Sequence, residues 1–336
     1  MTTHHAPAKT RTATLATLAL AAGIALPGGA ALAQSMDELV AAAQAEGALT
    51  VYANIDPRIL QNLADAFQEE YGIPVDVQRQ SSSALAQRFM AEVETGVAAV
   101  DIYLSTDLAF HNDRIADGRF EGSLDDVPGM AEWPEEAKWD GLAIIGYVPY
   151  SLVWNTNIVT EELDSWEDLA DPRWAGQVMM TDPRAGRTSN QFYYLLRDLY
   201  GDDFLRTLGE NATFSQSAVP GIQQVAAGAQ AMYAPGIHQV VVGLIDEGAP
   251  LGEAFPEPTI SSNNMISIVA DAPHPNAARL YVAYAMSIAG QEIINGGGFS
   301  PIEGVPNTLE MPEVVEIDPD VAQASTDEFA TLMGLQ

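Results

Sequence analysis

The turn Thr181-Asp182-Pro183-Arg184-Ala185-Gly186-Arg187-Thr188-Ser189-Asn190 gathers the side chains of this chain best suited to chemistry. An apolar run, Val178-Met179-Met180, precedes it and reads as a buried strand. A helical stretch from Phe192 to Tyr200, stopped by Gly201, follows it. A strand that turns into a helix leaves the first amide N–H groups of that helix unpaired at the positive end of its dipole, and hydroxyls beside them complete a seat for an anion. Arg187, Thr188 and Ser189 are the candidate contacts, with Arg184, directly after a proline, as contact or brace of the turn. An ordinary capped helix start looks the same, so the rest of the chain has to decide. Ser81-Ser82-Ser83 stands before another helical stretch and offers a second set of hydroxyls and amides. Tyr52, Asn54, Ser105, Tyr147, Tyr233 and His238, with Phe299, complete the candidate binding set, since small-molecule clefts combine aromatic walls with a few polar groups.

The elements that must position these residues follow a regular rhythm. Ser35-Met36-Asp37-Glu38 is a capping box that opens a helix ending at Gly47. Leu49 to Ala53 reads as a strand, and Asp56-Pro57 caps a helix running to Gly72. Ile73 to Val77 is a strand, Ala84 to Glu94 a helix, and Val100 to Ser105 a third strand. This β-α-β-α-β order argues for a parallel sheet with helices on both faces, whose ligands sit beyond the carboxyl ends of the strands. That rule puts Tyr52 to Asn54, Ser81 to Ser83 and Ser105 to Asp107 along one rim. Ser123 to Trp139 reads as a Pro- and acid-rich surface excursion, and Gly146 to Asn155 as a crossover into a second domain that holds the Arg187 turn. Val219 to Gly228 is a further capped helix and Gln230 to Ala234 a strand. Met265 to Val269 reads as a strand returning to the first domain, and Pro275 to Ile288 as a long helix.

Composition narrows the class. The first 33 residues have a basic start at Lys9 and Arg11, an apolar core from Ala13 to Leu26, and a small-x-small site at Ala31-Leu32-Ala33, the pattern of a signal peptide cleaved near Ala33. Without it, 12 basic side chains face 46 acidic ones, a net −34 in which Lys138 is the one lysine. Such a field repels nucleic acid and anionic lipid, and no later apolar run reaches membrane length. The chain has no cysteine, hence no disulfide, thiolate site or lipid-attachment cysteine. After the leader only His111, His238 and His274 remain. No nucleophile elbow, HExxH or P-loop is present, which argues against an enzyme. His111 and His274 read as surface residues. About 300 mature residues exceed what one core usually holds, so two domains are expected.

The run Ser165-Trp166-Glu167-Asp168-Leu169-Ala170-Asp171-Pro172-Arg173-Trp174-Ala175-Gly176-Gln177-Val178, followed by Asp182-Pro183-Arg184, resembles the middle of the periplasmic solute-binding proteins of ABC transporters, in the group that takes ferric ion, phosphonates and sugar phosphates. Glu38 to Tyr52, Asp101 to Ser105 and Pro149 to Asn155 are similar to that group as well. The resemblance implies a two-lobed α/β fold of the type II periplasmic binding proteins, each lobe a mixed, mostly parallel sheet flanked by helices, with the ligand in the interlobe cleft. Applied here, lobe 1 is 34–147 plus about 265–295, and lobe 2 is 148–264 plus about 296–336. It further implies a monomer in the periplasm that closes about its hinge on a small solute and delivers it to an ABC permease. A receptor that presents the same ligand to a sensor is the alternative from another class.

In ferric-ion members of the group, two adjacent tyrosines hold the metal. Here His238 and Gln239 fall roughly where that pair would sit, and Tyr193-Tyr194 lies within a helix, where neighbours point about 100° apart and cannot converge on one ion. The reading is therefore an organic anion (phosphonate, phosphate ester or carboxylate), with no metal and no cofactor, and with ferric ion as the alternative.

Overall fold

The computed structural model describes residues 35–96, 99–185 and 187–335, with the side chains of Arg187 and Thr188 left out. The expected leader lies outside these residues. Local signals place the first elements. Ser35 Oγ accepts the Glu38 amide while the Glu38 carboxylate accepts the Ser35 amide, closing the capping box of α1 (Met36–Glu46). Gly47 ends that helix at φ 75°, the left-handed conformation that a residue without Cβ adopts freely. Strand β1 (Leu49–Ala53) leads to Asp56, whose carboxylate accepts the Arg58 and Ile59 amides to open α2 (Pro57–Tyr71). Then come β2 (Val75–Arg79), α3 (Ser82–Thr95), β3 (Ile102–Ser105), α4 (Leu108–Ala116), β4 (Lys138–Trp139) and β5 (Leu142–Gly146).

The chain crosses over into β6 (Tyr150–Asn155) and continues through β7 (Val178–Thr181), α5 (Arg187–Tyr200), α6 (Asp202–Asn211), β8 (Ala212–Ser215), α7 (Ala218–Ala226), β9 (Met232–Ile237), α8 (His238–Asp246) and β10 (Leu251–Ala254). It returns as β11 (Asn264–Ile268), α9 (Pro275–Met286) and α10 (Ile288–Asn295), and finishes in α11 (Pro319–Ala324) and α12 (Thr326–Leu332).

Two mixed sheets, each flanked by helices, organise the two lobes. One has the order β2-β1-β3-β11-β5-β4, the other β10-β6-β9-β7-β8. Parallel pairs come from the β-α-β units: β1 with β2 and β3, β7 with β8 and β9. Antiparallel pairs come from strands that enter after a crossover, with β11 between β3 and β5 and β6 between β9 and β10. The return strand expected at Met265 thus joins the first sheet. Each sheet has its own core. Phe67 anchors the first: it is fully buried and its ring lies 5.0 Å from Tyr71, 5.1 Å from Tyr281 and 5.7 Å from Tyr284. Trp166, Phe192 and Tyr193 anchor the second. The helices α11 and α12 pack beside α5 and α6, where Phe329 meets Tyr193.

One expectation is corrected. The stretch 123–139 is no mere surface excursion, because Leu124, Val127, Met130 and Trp133 are buried in the first core. Their spacing of three residues fits single turns of tight helix, and two such turns are present at Met130–Glu132 and Glu135–Ala137. The long helix expected from Pro275 forms as α9 and ends at Met286; the Ser287 hydroxyl then accepts the Gly290 amide and starts α10. Truncating Phe67 to alanine removes the ring on which three tyrosines pack, and is expected to cost about 3–5 kcal/mol in urea denaturation.

Candidate functional site

The parallel strands β7 and β9 end at one rim, and the helices α5 and α7 start there. Between them lies a cavity of about 220 Å³ lined by Thr181 and Ala185, Ser189 in the first turn of α5, Gln216, Ser217 and Ala218 at the start of α7, and Tyr150, Pro235 and Ile237. Ser217 is the N-cap residue of α7, its side chain makes no capping bond, and it lines the cavity. The expected strand–turn–helix therefore forms, and a second helix start, after β8, joins it.

The floor is rigid. The Tyr233 hydroxyl bonds Thr181 Oγ1, and the Tyr193 hydroxyl donates to the Thr181 carbonyl at 2.5 Å. Both tyrosines are fully buried, which raises their pKa values and keeps them neutral. Tyr233 is hence a brace under the cavity rather than a wall of it, and Tyr193 serves the core. Asp182 fixes the turn: it accepts the Arg184 amide at 2.8 Å and the Arg184 guanidinium at 2.9 and 2.7 Å, and Gln216 Nε2 at 3.2 Å. The Arg184 hydrogen bonds hold this carboxyl below its ordinary value. Arg184 braces the turn, and its charge is matched locally. Ser189 lines the cavity, while the side chains of Arg187 and Thr188 lie outside the described residues.

On the first sheet the expected rim is assembled in part. Asn54 Nδ2 donates to Ser82 Oγ at 2.5 Å and to Thr106 Oγ1 at 3.2 Å, while its Oδ1 accepts the Thr106 amide. Ser81 caps α3 without a side-chain bond, and Ser81 and Ser83 are exposed beside Ser82. Tyr52 and Ser105 point the other way. The Tyr52 hydroxyl donates to Glu92 at 2.7 Å with the Arg88 guanidinium 4.6 Å from its ring centre, and burial pushes its pKa up to about 12. Tyr147 is partly buried on the crossover, where its amide donates to the Phe299 carbonyl at 3.1 Å.

Ser105 is fully buried against His111, whose Nε2 lies 3.0 Å from Ser105 Oγ and whose Nδ1 lies 2.8 Å from Ser267 Oγ. This corrects the surface reading of His111. His274 is likewise engaged, its amide and Nδ1 at 2.7 and 3.0 Å from the buried Asp101. His238 is not among the residues lining the cavity at the starts of α5 and α7, although its neighbour Ile237 is. The histidine lines a second one, of about 230 Å³, between α2, α8 and residues 293–298, with Asp56, Arg58 and Asp246. Sequence reading missed Tyr150, Gln216, Ser217 and the role of Asp182. Ser217 carried a legible signal, a hydroxyl one residue before a helix that follows a strand.

Among the described residues no three His, Asp or Glu side chains gather to hold a metal ion, and no helix is long and apolar enough to cross a membrane. A family profile described as bacterial extracellular solute-binding protein matches residues 49–300. An uncharacterised protein of Haemophilus influenzae is 24% identical over 334 residues, covering 94% of this chain and 90% of that one. Among solved structures, the periplasmic binding protein AfuA of Actinobacillus pleuropneumoniae, with fructose-6-phosphate bound, superposes with a TM-score of 0.67 at 19% identity, over 86% of this chain and 99% of its own. Iron-bound HitA of Pseudomonas aeruginosa gives 0.65 at 19%, over 85% and 98%. The apo ferric ion-binding protein A of Pasteurella haemolytica gives 0.68 at 15%, over 86% and 97%.

Burial drives the His111 pKa down to about 3, so the folded protein leaves this ring neutral while the unfolded chain takes up a proton near 6.5. The stability it contributes is present above pH 6.5 and lost as pH falls from there toward 3, by up to about 1.4 kcal/mol per pH unit. Urea denaturation at several pH values is expected to show this fall in the wild type. His111→Gln should start less stable at neutral pH and fall less steeply. An equal slope in both would remove His111 from the acid response.

Proposed function

We propose, from the premise that this chain belongs to the bacterial extracellular solute-binding protein family, that it captures a small organic anion between its two lobes and passes it to an ABC importer. The observation that carries this reading is the cavity on which the starts of α5 and α7 converge. Two helix N-termini offer unpaired amides and positive dipole ends, with the hydroxyls of Ser189 and Ser217 beside them. An anion fits that donor set; a cation does not. A phosphonate, a phosphate ester or a carboxylate supplies the acceptor oxygens, and Arg187, at the start of α5, is the charged contact we assign to it. The rim of Asn54, Ser81, Ser82 and Ser83 would close over the far side of the ligand.

The lobes in this reading are 34–147 with about 265–295, and 148–264 with about 296–336, and they rotate about the crossover at Tyr147 and the return strand β11. Export by the leader, cleavage near Ala33, a periplasmic site of action, a monomeric state and delivery to a permease belong to the same proposal, and catalysis does not. A permease gene beside this one supports transport, and a sensor-kinase gene there supports signalling.

The test is thermal denaturation of the mature protein with 2-aminoethylphosphonate, sugar phosphates, dicarboxylates and ferric citrate. A ligand at a hundred times its dissociation constant adds about 2.7 kcal/mol, enough to raise the melting temperature by several degrees. Ser217→Asp separates the site from the fold. Aspartate caps a helix as well as serine does and favours its dipole, so the free variant is expected to melt at or above the wild-type temperature. Its carboxylate repels the ligand, so the shift should vanish. An unchanged shift in this variant would move the anion elsewhere, and a shift with ferric citrate alone would replace the ligand class.

A further inference from the structure

His238 opens α8 and is buried with both ring nitrogens engaged. Nδ1 lies 2.7 Å from Glu253 Oε2 on β10, and Nε2 contacts the Gly297 carbonyl in the loop after α10. Both partners are acceptors: a carboxylate and a backbone carbonyl. A neutral imidazole carries one N–H and satisfies one of them, whereas an imidazolium donates to both. The surroundings hold the ring in place. Phe255 and Phe299 stand at 5.6 and 5.8 Å from it, and Glu253 is itself fixed by the Ser151 hydroxyl of β6 at 2.6 Å.

The ring thus ties β10 of the second sheet to the segment directly after α10, where the chain leaves the first sheet. Helix α8 packs on α7, β6, β9 and β10 of the second sheet, whereas α10 packs on α2, α9 and β5 of the first. The same loop also receives the Tyr147 amide on Phe299, at the crossover itself. We propose that His238, as an imidazolium, is a proton-dependent latch between α8 and the loop after α10, so that the hinge region loosens as pH rises and this ring loses its second proton.

The charged groups facing the ring come from β10, α2 with its cap, and α8. Glu253 comes from β10; α2 brings Arg58 with Asp56 3.6 Å from it, and α8 itself brings Asp246 to the same cavity. From β6 comes only the Ser151 hydroxyl, and from the loop the Gly297 carbonyl. Burial taken alone lowers the ring's pKa. The hydrogen bond and charge of Glu253, with the Gly297 carbonyl, outweigh it and hold the value above the ordinary 6.5. The charged latch is therefore complete below 6.5 and is lost as pH rises through the folded value.

The test needs no ligand, so its result is independent of the anion proposal. Imidazole carbon-bound proton signals are followed by NMR from about pH 5.5 to about 8.5, with the His238 signal identified by its loss in His238→Gln. Hydrogen exchange of the Tyr147, Gly297 and Gly298 amides, corrected for intrinsic rates, is measured across the same range. The expected result is a His238 midpoint above 6.5, protection of those amides falling through that midpoint, and no such fall in His238→Gln. In Glu253→Gln, which keeps an acceptor but removes the charge, the midpoint should drop by about one unit or more. A wild-type midpoint at or below 6.5, or protection that does not change across it, overturns the latch. If His238→Gln does not fold, the wild type and Glu253→Gln still decide.

Discussion

Strand direction governs the second lobe. Because β7 runs parallel to both β8 and β9, the three strands end on the same side, and each helix that follows must begin there. Two helix starts therefore face one small volume without any residue having been spent to bring them together. What sequence must supply is stiffness at that rim, and Thr181 receives it from both sides through two buried tyrosines. Asp182 ties the adjoining turn to the start of α7 through Gln216.

Charge is handled in the same economical way. Acidic side chains outnumber basic ones 46 to 14 in the whole sequence, and arginines are held against carboxylates at many points: Arg88 with Glu92, Arg173 with Asp171 and Glu161, Arg197 with Glu328, Arg279 with Glu121 and Asp126. Exposed pairs of this sort add little stability each. In the proposed reading, basic groups so engaged would compete less for an anion away from the rim. The proposed seat of amides and hydroxyls with Arg187 would work inside a strongly negative molecule, because its donors would point at the ligand from within about 3 Å while the surface carboxylates are screened by salt over about 10 Å.

Punctuation in the sequence was the readable part. Ser35 with Glu38, Asp56 with Pro57, and the glycines at 47 and 72 act through bonds within a few residues, so they mark helix ends without knowledge of the fold. The β-α-β order and the return of Met265 to the first sheet followed from strand spacing and composition. Side-chain direction did not follow. Strand β3 is buried along its whole length and β9 along all but its last residue, so neither shows the in–out alternation that tells one face from the other. That is why Tyr233 was read as a wall and Ser105 as a rim group, when both turn into the interior. His111 was misplaced for a related reason: its partners Ser105 and Ser267 come from two strands, the second of them 156 residues away, and no local pattern announces them.

The bracing of α5 by the end of the chain bears on when the seat comes into being. Asn190 bonds Gln323, 133 residues later; Gln191 donates to the Ile317 carbonyl, and Arg197 pairs with Glu328. The helix that carries Ser189 is thus clamped by segments made long after it. During synthesis and any passage through a membrane pore, the first sheet lacks β11 and the second lobe lacks its clamp until those segments emerge. In the proposed reading, ligand recognition would then belong to the chain only once these segments have joined it.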